Sequence, residues 1–124
     1  MAVAILKQGS YLIASIQSAL TDGEVLELRD DLADRIGRYR SRGIIIDVAA
    51  LDVIDSFVAR SLRTIARTAT LRGAATVIVG IQPDVAVAMV QFRLNLEPLQ
   101  TALDLEEALA LLDRNARRRE RDGR

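Results

Sequence analysis

Residues 43–57 read Gly-Ile-Ile-Ile-Asp-Val-Ala-Ala-Leu-Asp-Val-Ile-Asp-Ser-Phe. The unbroken apolar run Ile44-Ile45-Ile46 fits a strand buried on both faces, as strands of a helix-covered parallel sheet are. Leu51 to Asp55 follows as a loop carrying two acids, and Ser56 opens a helical pattern. Val58, Leu62, Ile65 and Ala69 fall on one side of that helix, and Gly73 stops it. The next apolar run, Val77-Ile78-Val79 within residues 74–81, predicts a second buried strand. Strand, loop, helix and strand in this order make a βαβ unit, whose two strands run parallel.

The same alternation extends both ways. Upstream, Ala2 to Gln8 and Tyr11 to Gln17 are short apolar runs separated by Gly9-Ser10, which predicts a two-residue antiparallel hairpin. Thr21-Asp22-Gly23-Glu24 has the form of a capping box. Behind it Val25, Leu28, Leu32 and Ile36 predict an amphipathic helix that ends near Gly43. Downstream, Gln82-Pro83-Asp84 starts a third helix, with proline at its first position and an acid at its positive end; the helix is expected to end at Asn95. Leu99 to Leu103 predicts a short strand. Asp104-Leu105-Glu106-Glu107 is a second capping box, leading a helix through Leu105, Ala108, Leu109 and Leu112. The expected fold is therefore α/β: a small mixed sheet with an opening antiparallel hairpin and four helices packed against it. One domain is expected over residues 2–113. A basic tail over residues 114–124 is expected to be a solvated, fraying end.

Composition narrows the chemistry. The 124 residues suffice for one domain with one hydrophobic core. The chain has no cysteine and no histidine, and Lys7 is its single lysine. Disulfides, cysteine or histidine metal sites, Ser-His-Asp catalysis and a Walker A loop therefore lack their material. Seventeen basic and seventeen acidic residues cancel, which gives no general attraction to nucleic acid or to an anionic membrane. No apolar stretch reaches the length of a membrane span, and the first residues lack a signal-peptide layout, so the cytoplasm is the expected location. No catalytic constellation and no cofactor site can be read.

Three features lie where open α/β sheets place their sites, at the strand C-termini. Asp47, Asp52 and Asp55 surround the loop after Ile44-Ile46; they could hold Mg²⁺ in a receiver-like module, or simply cap and solvate the loop. Ser56 stands at the start of a helix, where its bland role is an N-cap. It also heads a stripe with Arg60, Arg63 and Arg67 on one helical face. An anion at Ser56 would meet the free N–H groups of the helix and come within reach of Arg60.

The stretch Asp47 to Phe57, ending Ile-Asp-Ser-Phe, resembles the STAS domain of bacterial anti-sigma-factor antagonists. Two more stretches, Gly80-Ile-Gln-Pro-Asp-Val-Ala-Val87 and Thr101-Ala-Leu-Asp-Leu-Glu106, are similar to the RsbS-type stressosome scaffolds within that family. The resemblance implies a phosphorylation site at Ser56, with Asp52, Asp55, Phe57, Arg60 and Arg63 as its partner-binding and phosphate environment. It implies an RsbT-like serine kinase as partner, an RsbX-like phosphatase, and RsbR-type STAS sensors in a homodimer and a large hetero-oligomer. Phe57 and Val58 stand where many simple antagonists have serine and glycine, which favours the scaffold type over a small soluble antagonist.

Overall fold

The computed structural model describes residues 3–121; Ala2 and the last three residues of the predicted tail lie outside them. The elements are β1 (Val3–Gln8), β2 (Tyr11–Ile16), α1 (Asp22–Tyr39), β3 (Gly43–Asp47), α2 (Ser56–Leu71), β4 (Ala75–Val79), α3 (Pro83–Gln91), β5 (Gln100–Ala102) and α4 (Leu105–Arg121). This is the predicted order, and the five strands form one sheet in the sequence β1-β2-β3-β4-β5. β1 runs antiparallel to β2, and every other neighbouring pair is parallel.

Local chemistry accounts for most element ends. Gly9 takes φ +60° in the hairpin turn, a conformation open to glycine at little cost. Thr21 caps α1 through the Glu24 N–H at 3.1 Å, and Glu24 returns to the Thr21 N–H at 2.9 Å, so the capping box is complete. The second box is displaced by one residue. Asp104 accepts the Glu107 N–H at 2.9 Å, but the Glu107 carboxylate reaches the Leu103 N–H at 3.4 Å instead of that of Asp104. α1 ends at Tyr39, where Arg40 adopts φ 49°.

The sheet steps in one direction from β2 to β5. Crossovers of a single hand therefore place α1, α2 and α3 on one face. There Leu28, Leu32, Leu62, Ile65 and Val85 pack on Leu12, Ile44, Ile46 and Ile78. α4 covers the other face, with Ala108 and Leu112 against Ile13, Ile45, Val77 and Val79. Ile44, Ile45 and Ile46 are fully buried, as a strand sandwiched between two helical layers must be.

Three boundaries differ from expectation: α1 ends at Tyr39 and not near Gly43, because Arg40 turns left-handed and β3 begins at Gly43. α3 ends at Gln91 and not at Asn95, because the chain turns through Arg93 at φ 54° and the Leu94 N–H bonds back to the Met89 carbonyl at 2.9 Å. The basic segment after residue 113 continues α4 as far as Arg121. Asp113 accepts a hydrogen bond from the Tyr11 hydroxyl, and Arg42 pairs with Glu120 at 3.5 Å, so the helix lies along the sheet end that carries Tyr11 and Arg42.

Candidate functional site

The C-terminal ends of β3 and β4 lie side by side, joined by a Val48 N–H to Val79 carbonyl bond of 3.0 Å. The loop that leaves β3 is held by its own polar groups. Asp47 accepts the Ala49 N–H at 2.9 Å. Gln82, at the start of α3, donates its amide to the Ala49 carbonyl at 2.8 Å and reaches Asp52 at 3.4 Å. Gly80 permits the close approach: at φ +80° its backbone passes where a Cβ would stand 2.9 Å from the Ala49 Cβ.

Asp55 has extended backbone angles and accepts the Val58 N–H at 2.8 Å, so Asp55 is the N-cap of α2. Ser56 is the first helical residue and exposed, so it lies just inside the helix start and the bland capping role falls to Asp55. Its hydroxyl stands beside the first N–H groups of the helix without being needed to satisfy them.

Of the two readings of Asp47, Asp52 and Asp55, the geometry supports the loop-shaping, helix-capping one. Asp47 and Asp55 are engaged by separate backbone N–H donors and Asp52 by the Gln82 amide. Among the described residues no group of three acids is arranged to hold a metal ion. The acids shape the loop and leave an acidic rim.

The arginine stripe is uneven. Arg60 and Arg67 are exposed, whereas Arg63 and Phe57 are half-buried. The Arg63 Nε is enclosed without a hydrogen-bond acceptor, so part of this guanidinium is withdrawn from water. Arg60, one turn beyond Ser56, remains the cation nearest to it in helical register.

One part of the site was not visible in sequence. A groove of about 460 Å³ opens between the β3–α2 loop and α3, lined by Val53, Ile54, Ser56, Val85, Ala88 and Phe92. Asp52, Asp55 and Asp84 rim it. Val53 is 70% exposed and Phe92 74% exposed. Large apolar side chains standing in water beside a concave apolar surface mark a place for a partner. The signal in the chain is faint: Val53 sits in an otherwise polar loop, and Phe92 follows the last turn of α3 on no periodic face.

A family model for the STAS domain matches residues 2–108. Among solved structures, Moorella thermoacetica RsbS is 36% identical, with 94% of this chain and 99% of that one aligned at a TM-score of 0.79. A chain from a structure of the stressosome, described as a signal integration and transduction hub, is 34% identical over 92% of this chain and 99% of its own, at a TM-score of 0.72. The RsbT co-antagonist protein RsbRA of Bacillus subtilis is 26% identical over 91 residues, 70% of this chain but 33% of that protein. The unphosphorylated anti-sigma factor antagonist SpoIIAA, at 16% identity and a TM-score of 0.68, shares the fold. The chain belongs to the STAS domain family.

Proposed function

We propose that this STAS-family chain is a non-catalytic scaffold of a stressosome-type assembly, a phospho-switch that holds a serine kinase and releases it when Ser56 is phosphorylated. The observation that carries the reading is the position of Ser56. It is exposed at the first position of α2, beside an acid-rimmed apolar groove, in a chain similar to RsbS over nearly its whole length. Its hydroxyl holds no capping bond, so modification removes no contact that α2 depends on.

The switch follows from charge. Transfer of the terminal phosphoryl group of ATP to the Ser56 Oγ, with loss of the hydroxyl proton, adds about −1.5 to −2 charge at neutral pH. The helix dipole and the free N–H groups of α2 favour that charge, so the fold is retained. Asp52, Asp55 and Asp84 oppose it, so the groove becomes strongly acidic. A partner that buries Ser56 against its own apolar or acidic groups then loses affinity through repulsion and desolvation.

The partners on this reading are an RsbT-like serine kinase, an RsbX-like phosphatase and RsbR-type STAS sensors, assembled in the cytoplasm into a large hetero-oligomer. The chain itself turns nothing over. Incubation with an RsbT-like kinase and Mg·ATP, followed by mass spectrometric site mapping, tests the reading. A single phosphate on Ser56 is expected; phosphate elsewhere, or none, overturns it.

A further inference from the structure

The formal charge is zero, yet the charges are sorted along the strand direction. The connections leaving the C-terminal ends of the parallel strands, residues 17–24, 47–56, 80–84 and 103–107, carry acids that include Asp52, Asp55, Asp84 and Asp104, and no lysine or arginine. The opposite end is basic. Hydrogen bonds from the Arg42 N–H to the Ser10 carbonyl and from the Ala75 N–H to the Arg42 carbonyl gather the hairpin turn and the starts of β3 and β4. The Arg42–Glu120 pair brings the last turns of α4 to the same end. The Arg72 side chain lies against Gly37, which joins the ends of α1 and α2 there. Arg38, Arg40, Arg42, Arg72, Arg117 and Arg121 therefore share one end of the domain.

An apolar residue stands out within that basic end. Leu71, the last residue of α2, is 89% exposed. Arg67 lies one turn before it, and Arg72 follows it. The acidic end holds the matching shape: the apolar groove floored by Ile54, Val85 and Ala88, with Asp52, Asp55 and Asp84 around its mouth. An apolar knob flanked in sequence by Arg67 and Arg72 and an apolar groove bordered by three aspartates, on opposite ends of the same chain, are complementary in both charge and polarity.

The geometry points to a head-to-tail contact between copies of this chain, in which Leu71 of one copy enters the groove between the β3–α2 loop and α3 of the next while Arg67 and Arg72 face the aspartates of its rim. The contact is heterologous, so repetition builds rings or open chains rather than a closed dimer. It goes beyond the phospho-switch and requires no kinase. Because it covers Ser56, a docked copy and a kinase compete for the same end.

Sedimentation velocity of the full chain alone tests the contact, over a concentration series at about 0.05 M and about 0.5 M salt, conditions that lengthen or shorten the screening distance around its value of roughly 10 Å at 0.1 M. The weight-average mass is expected to rise with concentration at low salt and to fall back at high salt. Leu71→Ser, at a position already in water, should weaken the association about tenfold and leave the circular dichroism spectrum unchanged. The double variants Arg67→Glu/Arg72→Glu and Asp52→Lys/Asp84→Lys should each lose self-association, and mixing the two should restore it, because each then presents the charge the other needs. A mass indifferent to salt and to Leu71→Ser overturns the contact. So does a basic end that retains phosphatidylserine vesicles or duplex DNA in a chain that stays the same size at both salts.

Discussion

The Asp55 carboxylate accepts the Val58 N–H at 2.8 Å, and this bond sets Ser56 one residue inside α2. The cap is thereby supplied by Asp55, and the adjacent Ser56 hydroxyl takes no part in it. Asp55→Ala should lower stability by about 0.5–2 kcal/mol, the ordinary cost of a lost N-cap. Ser56→Ala should stay within about 0.5 kcal/mol of the parent, as surface substitutions do. Urea denaturation of the two variants checks this assignment of the cap; a Ser56→Ala loss equal to that of Asp55→Ala would contradict it.

Arg60 lies four residues after Ser56 on the same helical face and is exposed. A phosphate on Ser56 is expected to pair with it, which favours the dianion and lowers the second phosphate pKa. Arg60→Ala should therefore raise that pKa in a phosphorus NMR titration of the phosphoprotein. An unchanged value rejects the pairing.

Gly80 holds φ +80°, and a Cβ there would stand 2.9 Å from the Ala49 Cβ and 3.2 Å from the Asp47 Oδ1. Gly80→Ala combines backbone strain with a clash against the loop that carries the acidic rim. The expected loss is more than about 1 kcal/mol, with NMR shift changes at Ala49, Asp52 and Asp55. A variant as stable as the parent, with those resonances in place, would show that the loop does not depend on this approach.

The Tyr11 hydroxyl donates to Asp113, 102 residues away in sequence. Burial, then this hydrogen bond and the negative charge of Asp113, push the phenol up from 10.0 to about 12. The folded chain thus favours the neutral phenol. Its contribution to stability is complete below pH 10 and is lost as pH rises from there through about 12. The difference in ultraviolet titration between the parent and Tyr11→Phe should show the late transition, and Asp113→Asn should bring it down. A Tyr11 transition at the ordinary phenol value of 10.0 in the parent would contradict the contact.

Periodicity and turn chemistry alone expose most of this fold. The Gly9-Ser10 turn, the Thr21–Glu24 box, the buried Ile44–Ile46 strand and Pro83 at the start of α3 each follow from interactions within a few residues. Elsewhere the contacts are distant. α4 runs on to Arg121 and meets Tyr11 of β2 and Arg42 just before β3, contacts with no local signature. Ser56 is proposed as a site from the family resemblance of residues 47–57, since its position alone suggests only a helix start. The groove is not legible in the sequence, since it forms only when the β3–α2 loop meets α3, and Phe92 belongs to no repeating pattern. The three acids around the loop leave metal binding and loop capping both open in sequence, and their side chains turn to separate donors.

The switch itself is tested most directly by calorimetric titration of an RsbT-like kinase into the chain, unmodified and phosphorylated at Ser56. Tight binding to the unmodified chain and at least a tenfold loss on phosphorylation, a change of about 1.4 kcal/mol or more, with superimposable circular dichroism spectra, is the predicted result. Equal affinity for both forms, or binding to neither, would contradict it.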